Sequence, residues 1–563
     1  MAIPETQYAV QLVGPDKLTL NPAKPVPPVG PHQILARVEA VGLCFSDLKL
    51  LKQFDKHARK TRILEGIEEA ILAEIPSYVP DEEPTVPGHE TTVRIEAVGE
   101  QVQGVRVGGR YLVETDYRWL PTTNSNASFG YNFEGGLQQY VLMDTRVITS
   151  PEGQVFLLPA PETLSASAVA LVEPWACVEE AYRVRERKDL REGGQMLVVA
   201  DQGGFEETFI AFLGRFGRPG RITLVSRFGP MTAGRIPVRT VEYLDELGDS
   251  QFDDVIYFGS DVDTAGRLFE HVGPNGLYNI VQCGTRFGRT VTVPVGRFHY
   301  GNIRLVGTFG MDPAGSIISI PASGEIRPND KIHIVGAAGP MGVMHVIRNI
   351  CQGVPGISVH AGDLDDHRLG LLNRVAVPMA AQRGVPYYPY HAATGKPNTR
   401  FDYTALMAPV GPLVAQAVQD AEPRGIINVF AGIPATVTTE LDLDTYIERG
   451  LYILGTSGSV FEDMEIVLEK VASGKLNTDI SVGAISGMAG AVEGIRAVEK
   501  GLIPGKILVY PACAQMGLIP LERLGEELPQ VAACLENGLW NQRAEEALLA
   551  AYPKSGPSAS RLD

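Results

Sequence analysis

The sequence predicts an α/β protein, in which an irregular, mainly-β domain is joined to two doubly wound parallel-sheet units. Three observations carry that reading. Short β-type runs broken by glycine and proline fill the N-terminal part of the chain. Two later stretches each open on an apolar strand and then alternate strands with helical segments, the pattern of a parallel sheet covered on both faces. Those two stretches also end alike, each with a lead-in, a short strand and a Gly-Thr pair.

In chain order, the β-type runs are 34–41, 91–98, 110–114 and 138–143. The charged segment 52–83 interrupts them, and Ile63, Ile67 and Ile71 stand there at helical spacing, which predicts a surface helix. The first α/β stretch has strands expected at 196–200, 221–226, 255–258 and 278–282. The second has them at 331–335, 357–361, 425–430 and 451–455. The end of the first (299–308) aligns in role with the end of the second (446–456). A duplicated domain is the simplest account, and chance likeness of two doubly wound units is the alternative. After Gly517 comes a helical tail with Leu521, Leu524, Leu528, Val531, Leu535, Leu548 and Leu549, then a polar run at 554–563 expected to be disordered.

Composition narrows the function. Of 563 residues 44% are hydrophobic and 20% charged, a balance that can fill several cores. A net charge of −17 opposes general affinity for nucleic acid or anionic membrane. No apolar run approaches the roughly 18 residues that span a bilayer. The first residues lack a basic start and apolar core, so a cytoplasmic protein is expected. Six cysteines lie far apart, which is not a disulfide framework.

The chemistry starts at Gly42-Leu43-Cys44-Phe45-Ser46-Asp47, followed later by Gly88-His89-Glu90. A thiolate, an imidazole and a carboxylate can hold zinc, although one Cys and one distant His are more often unrelated core residues. The wider context changes the balance. The segments 37–47, Pro87-Gly88-His89-Glu90, Val98-Gly99 through Gly109-Arg110, Phe133-Glu134-Gly135-Gly136 and Leu171-Val172-Glu173-Pro174 occur in that order. Together the chain resembles the medium-chain dehydrogenase/reductase superfamily, in its zinc alcohol and polyol (sorbitol-dehydrogenase-like) branch. That resemblance implies a GroES-like catalytic domain. It implies zinc held by Cys44, His89 and Glu173, with Glu90 a third ligand or a nearby carboxylate that exchanges with water, and Cys177 in reserve. Asp47 would orient His89, and Ser46 would share the substrate alcohol's proton. Lys49 takes the slot often held by a relay histidine. The stretch 114–133 has no cysteine, so one catalytic zinc per chain and no structural zinc is expected.

A nucleotide site is expected in the second α/β stretch. Its opening strand runs into Gly336-Ala337-Ala338-Gly339-Pro340-Met341-Gly342, and glycines there let the backbone approach a pyrophosphate at a helix N-terminus. The second strand ends at Asp363, which favours the free ribose hydroxyls of NAD over a 2′-phosphate. By the resemblance Arg368 lies beside the adenosine, and Gly432 and Thr456, at strand ends, are candidates for nicotinamide contacts. The first stretch instead reads Asp201-Gln202-Gly203-Gly204-Phe205-Glu206-Glu207 and later Ser226-Arg227, so it is expected not to bind NAD in the ordinary way. Residues 480–510 resemble a return into the catalytic domain. The expected domains are therefore 1–190 (catalytic, with the helical insertion 52–83), 191–325 (degenerate Rossmann-type), 326–478 (NAD-binding), 479–511 (the return) and 512–563 (a helical extension).

Lys49, Lys52, Lys56, Arg59, Lys60 and Arg62 follow the metal loop and could meet a phosphorylated or acidic sugar, or form a solvated face. The resemblance implies NAD-linked interconversion of a secondary alcohol of a polyol or sugar with its ketone, by a homodimer or tetramer. Two alternatives stay open: a redox-neutral epimerase, lyase or dismutase using tightly held NAD, and a non-catalytic nucleotide-binding regulator.

Overall fold

The computed structural model describes residues 3–456 and 458–552. The polar run 554–563 and Ser457 lie outside the described residues. The chain forms two compact units, one of Met1–Ala176 with Ser459–Asp563, the other of Cys177–Gly458.

The first unit is built on an eight-stranded sheet. Its path runs Leu518–Pro520, Val482–Ser486, Lys506–Val509, Gln33–Gly42, Glu90–Val98, Arg110–Val113, Leu157–Pro159, and Tyr140–Asp144 also pairs with Gln33–Gly42. The long strand Gln33–Gly42 is central because its alternate residues Ile34, Ala36 and Val38 are buried in a core shared with Val93, Ile95, Val141, Ile507 and Val509. Val482–Ser486 and Lys506–Val509, from the stretch 480–510, are strands of this sheet. Antiparallel register places Glu90 and Leu508 on either side of Gly42.

The helix expected around Ile63, Ile67 and Ile71 is not formed. The segment holds two single 3₁₀ turns, Phe54–Lys56 and Ala58–Lys60, and the four-residue helix Glu69–Leu72. Gly66 has φ +92°, a left-handed conformation that no helix tolerates, and a Cβ there would stand 2.6 Å from the Trp119 carbonyl oxygen. Ile63 and Ile67 pack onto the core from a draped loop and Ile71 from the short helix after it, so their spacing mimics a single helical face.

The second unit contains two six-stranded parallel sheets of the same order. One runs Val238–Val241, Arg221–Ser226, Gln195–Ala200, Phe252–Phe258, Val272–Val281, Arg304–Thr308. The other runs Tyr387–His391, Ser358–Asp363, Lys331–Val335, Phe401–Leu406, Ala421–Val429, Tyr452–Leu454. Both are doubly wound, as the sequence predicts.

The two sheets meet through equivalent elements in a near-reciprocal way. Val291–Val293 of one half pairs antiparallel with Thr439–Leu441 of the other. From the helix Leu443–Glu448, Tyr446 donates its hydroxyl to the Leu305 carbonyl at 2.8 Å. From the same helix Ile447 covers Gly307, where a Cβ would come within 2.6 Å of it. Conversely, the helix Gly296–Tyr300 lays His299 over Gly455, at 2.8 Å from a Cβ placed there. A single apolar core containing Val291, Val293, Phe298, Leu305, Leu441, Leu443 and Ile453 joins the halves.

Candidate metal and active site

Backbone register brings the first donors together. Glu90 stands opposite Gly42, and Cys44 follows two residues on, as the N-cap of the helix Phe45–Gln53. A Cβ on Gly42 would fall 2.0 Å from Glu90 Oε2, so the strand has to end in glycine for that carboxylate to occupy its place. Ligand atoms of Cys44, His89 and Glu90 lie within 4.8 Å of one another. Glu90 is fully buried. Its Oε1 pairs with Lys506 Nζ, while Oε2 has no hydrogen-bond partner.

Asp47 does two things at once. Oδ2 accepts the Cys44 backbone N–H at 3.0 Å, which fixes the start of the helix, and Oδ1 lies 3.2 Å from His89 Nδ1. A proton on Nδ1 donated to Asp47 leaves Nε2 as the ring's lone-pair nitrogen. Ser46 Oγ is 3.1 Å from that Nε2.

Glu173 lies on the helix Val172–Arg183 and is buried. Burial raises its pKa to about 7, with the charges of Glu90 and Asp116 adding to the rise and those of His89 and Lys506 opposing it. It therefore sits within electrostatic reach of the donor group without being one of the three mutually close ligands. The reserve ligand Cys177 lies on the same helix, in the second unit.

The segment leading to Glu173 is strapped on several sides. Glu545 accepts the backbone N–H groups of Ala166 (2.6 Å) and Ser167 (2.9 Å), and Tyr510 donates to it at 3.0 Å. Ser165 donates to Asp479 at 2.6 Å, Thr478 to the Ala168 carbonyl at 2.8 Å, and Thr92 to the Ala166 carbonyl at 3.0 Å.

Around the donors lie residues that spacing alone does not reveal. The Tyr131 ring is 5.8 Å from His89 and 5.1 Å from His57, and the Arg59 guanidinium lies over it at 5.4 Å. Burial, then the charges of Arg59 and Lys49, push the His57 pKa down to about 4, so this imidazole is neutral at pH 7. Glu114 is buried, and burial followed by the charge of Asp116 raises its pKa to about 8.

The run of cations is sorted by the structure. Lys52 pairs with Asp16 (2.9 Å) and Glu499 (2.6 Å), Arg59 with Asp116 (2.9 Å) and Arg62 with Asp81 (2.7 Å). Lys60 is fully buried. It donates to the carbonyls of Val79, Asp81 and Glu83, and burial lowers its pKa to about 8. A solvated face does not describe Lys60, which closes a loop. Lys49 is exposed, next to His57 in electrostatic terms.

In the second unit, Gly336 has φ +80° and Gly342 faces the Gly336 carbonyl, 2.2 Å from where a Cβ would stand. Gly339 caps the helix Pro340–Cys351, with Pro340 and Met341 in its first turn. Asp363 Oδ2 accepts the Ala338 N–H at 2.9 Å, tying the second strand to the glycine turn. Arg368 is half-buried and lies 3.5 Å from Asp365. The hydroxyl of Tyr300 lies 2.6 Å from a Cβ placed on Gly432, and Thr456 is buried.

Residues 30–152 match the alcohol dehydrogenase GroES-like domain. The chain is 27% identical over 251 residues to the uncharacterized protein YggP of Escherichia coli, covering 40% of this chain and 58% of that protein. It is 25% identical over 360 residues to mannitol-1-phosphate 5-dehydrogenase of Aliivibrio fischeri, 58% of this chain and 79% of that one. To sorbitol dehydrogenase of Arabidopsis thaliana it is 34% identical over 112 residues, 20% and 25% of the two chains. The match thus spans 58% of the length of the first of these relatives. The crystal structure of 2R,3R-butanediol dehydrogenase from Bacillus subtilis superposes with a TM-score of 0.51 at 14% identity, over 90% of this chain and 100% of that one, a likeness of fold. No helix among the described residues is long and apolar enough to cross a membrane.

Proposed function

We propose that this chain, a member of the medium-chain dehydrogenase/reductase superfamily in its alcohol and polyol dehydrogenase branch, interconverts a secondary alcohol of a polyol or sugar with its ketone, using one zinc ion and NAD(H). The observation that carries the reading is the convergence of Cys44, His89 and Glu90 within 4.8 Å, with Asp47 on the far nitrogen of the imidazole.

The donor set fits zinc. A thiolate and an imidazole nitrogen suit a borderline-soft dication, and Glu90 Oε2, buried with no hydrogen-bond partner, is a carboxylate oxygen for which a cation is the natural complement. Cys44, His89 and Glu173 would hold the ion. Glu90, already neutralised by Lys506, would be the exchangeable donor beside it. Zinc, when bound, supplies a Lewis acid that makes an alcohol easier to deprotonate.

The chain's own residues do the rest. Asp47 fixes the ring of His89, so that one nitrogen faces the donors. Ser46, next to that nitrogen, is placed to accept a proton from a substrate hydroxyl and pass it outward. Tyr131 and the neutral His57 are the polar groups beyond it, with Lys49 at the exposed end. Pairing with Asp116 restrains the Arg59 guanidinium over Tyr131, where it offers donors to an oxygen-rich substrate. In the second unit, Gly336, Gly339, Pro340, Met341 and Gly342 would receive the cofactor's diphosphate, Asp363 and Arg368 its adenosine half, and Gly432 and Thr456 its nicotinamide end. The phosphorylated polyol named for one relative makes sugar phosphates part of the substrate class to be tried.

Metal analysis of the purified protein, joined to NAD-reduction assays over polyols and sugar phosphates, tests the proposal. One zinc per chain and a substrate-dependent rate, both lost in Cys44→Ser and His89→Ala, are expected. A metal-free wild-type protein that turns over the same alcohols would overturn it.

A further inference from the structure

The first parallel sheet of the second unit has a crevice of its own. Chain order reverses between the strands Gln195–Ala200 and Phe252–Phe258, and ligands of open α/β sheets bind at such a reversal, beyond the carboxyl ends of the strands. A cavity of about 180 Å³ lies there, lined by Ala200, Asp201, Ser226, Arg227, Tyr243 and Arg267 among others. That is below the few hundred Å³ that enclose a drug-sized ligand, so a bound nucleotide would lie only partly inside it.

Strand register allows the two sheets to be compared position by position. Gln195 pairs with Arg221 at the start of the first ladder and Lys331 with Ser358 at the start of the second, and both continue in unbroken register. Counted from those pairs, Ala200 stands where the second sheet has Gly336, so Asp201 follows at the glycine turn; Ser226 stands where it has Asp363, and Arg227 is the next residue. The acid that ends the second strand of one sheet is therefore a hydroxyl followed by a guanidinium in the other, and the glycine turn gains a carboxylate. Where the second sheet offers a glycine turn to a diphosphate, the first offers a carboxylate, held by the Tyr257 hydroxyl at 2.5 Å, and Glu206 and Glu207 open the following helix. Where the second sheet offers an acid to free ribose hydroxyls, the first offers an exposed guanidinium beside a buried serine hydroxyl. Arg227 has no ion-pair partner among the described residues, whereas Arg267 is taken up by Asp245. Tyr243, 60% exposed, lines the cavity and carries a ring of the kind on which a base can stack.

We propose that this crevice is a second nucleotide site, which takes an adenine nucleoside carrying a 2′-phosphomonoester and refuses a diphosphate. Arg227 and Ser226 receive the phosphate, because a guanidinium at the end of the second strand complements a doubly charged monoester, as an acid there complements bare hydroxyls. Asp201, Glu206 and Glu207 repel a 5′-diphosphate.

The test is calorimetric titration of the full-length protein, with NAD⁺ in excess to occupy the second sheet. The probes are 2′-AMP, 5′-AMP, adenosine and ADP. The expected result is binding of 2′-AMP at least tenfold tighter than adenosine or ADP, and a loss of at least tenfold in Arg227→Asp. Arg227 is exposed, so that variant keeps its fold, which its melting curve checks. Three results would each overturn the site: no binding of 2′-AMP, equal affinity for 2′-AMP and adenosine, or 2′-AMP binding that survives Arg227→Asp. If the surviving binding is lost instead in Asp363→Ala, the ligand lies in the second sheet and the first is empty of function as a nucleotide site.

Discussion

Replacing Asp479 by asparagine should make the protein more stable at alkaline pH and leave it nearly unchanged at acid pH. Asp479 is buried beside Glu545; its Oδ2 accepts the Ser165 hydroxyl at 2.6 Å, while Oδ1 is buried without a hydrogen-bond partner. Burial, with Glu545 adding to it, raises its pKa from 3.8 to about 7. The neutral acid is thus the form the fold prefers. Its stabilising contribution is complete below about pH 4 and is lost as the pH rises through about 7. Three pKa units at 1.36 kcal/mol each set that loss at about 4 kcal/mol, on the order of the largest single-site effects. Asparagine keeps an acceptor for Ser165 and carries no charge to bury. Melting temperatures of wild type and Asp479→Asn, measured from about pH 3.5 to pH 9, should coincide below about pH 4, draw apart in favour of the variant between about pH 4 and 7, and differ by several degrees above that. Buried acids away from it, Glu114 among them, tilt both curves alike, so the difference reports Asp479 together with its neighbour Glu545. Parallel curves would refute the reasoning, since they would mean that Asp479 carries the same charge folded and unfolded across that range.

Other expectations follow from the same geometry. Glu545→Leu orphans two backbone N–H groups and the Tyr510 hydroxyl, at about 1–3 kcal/mol each, so urea unfolding should show a loss of several kcal/mol; metal retention on dialysis should fall with it, because the strapped segment leads into Glu173. Asp363→Ala removes a carboxylate that braces the Ala338 N–H and faces the proposed ribose, and fluorescence titration should show NADH binding weakened about tenfold to a hundredfold. The reciprocal contact between the two parallel sheets already supplies an isologous-type pairing within one chain. Light scattering should therefore report that a second copy is not needed for that pairing, with Gly307→Phe destabilising a single chain at all dilutions; a concentration-dependent melting temperature would contradict this.

Much of the donor set was legible because each member sits beside a local signal. Cys44 follows a β-type run that ends in glycine, and His89-Glu90 opens the neighbouring strand, so two short motifs carry what the register later joins. Lys506 lies in the stretch 480–510 that reads as a return into the catalytic domain, with nothing local to mark its partner. Its contact with Glu90 depends on a strand pairing across more than four hundred residues, which no local pattern encodes. Tyr131, His57 and Arg59 gave no signal, because an aromatic–imidazole–guanidinium stack has no fixed sequence spacing. The misread segments share one cause. Three isoleucines four apart, and a run of cations, both look like faces of a helix, yet Gly66 and the carbonyl clamp around Lys60 show a loop that uses apolar and cationic side chains to hold itself down.

The first parallel sheet shows why an expectation of degeneracy and a complete fold are compatible. The residues that join it to the second sheet, Val291, Val293, Phe298 and Leu305 among them, face a shared apolar core, and each is fully or almost fully buried. A charged substitution at any of them would meet the cost of burying an unpaired charge. The residues at the carboxyl ends of its strands, Asp201 and Arg227, contribute nothing to that core, and solvent reaches them. Structural support and ligand recognition therefore rest on separate sets of side chains. The sheet can keep its six strands and its register while the charge at its crevice changes, and the chemistry offered there has to be read from those crevice residues, independently of the fold that presents them.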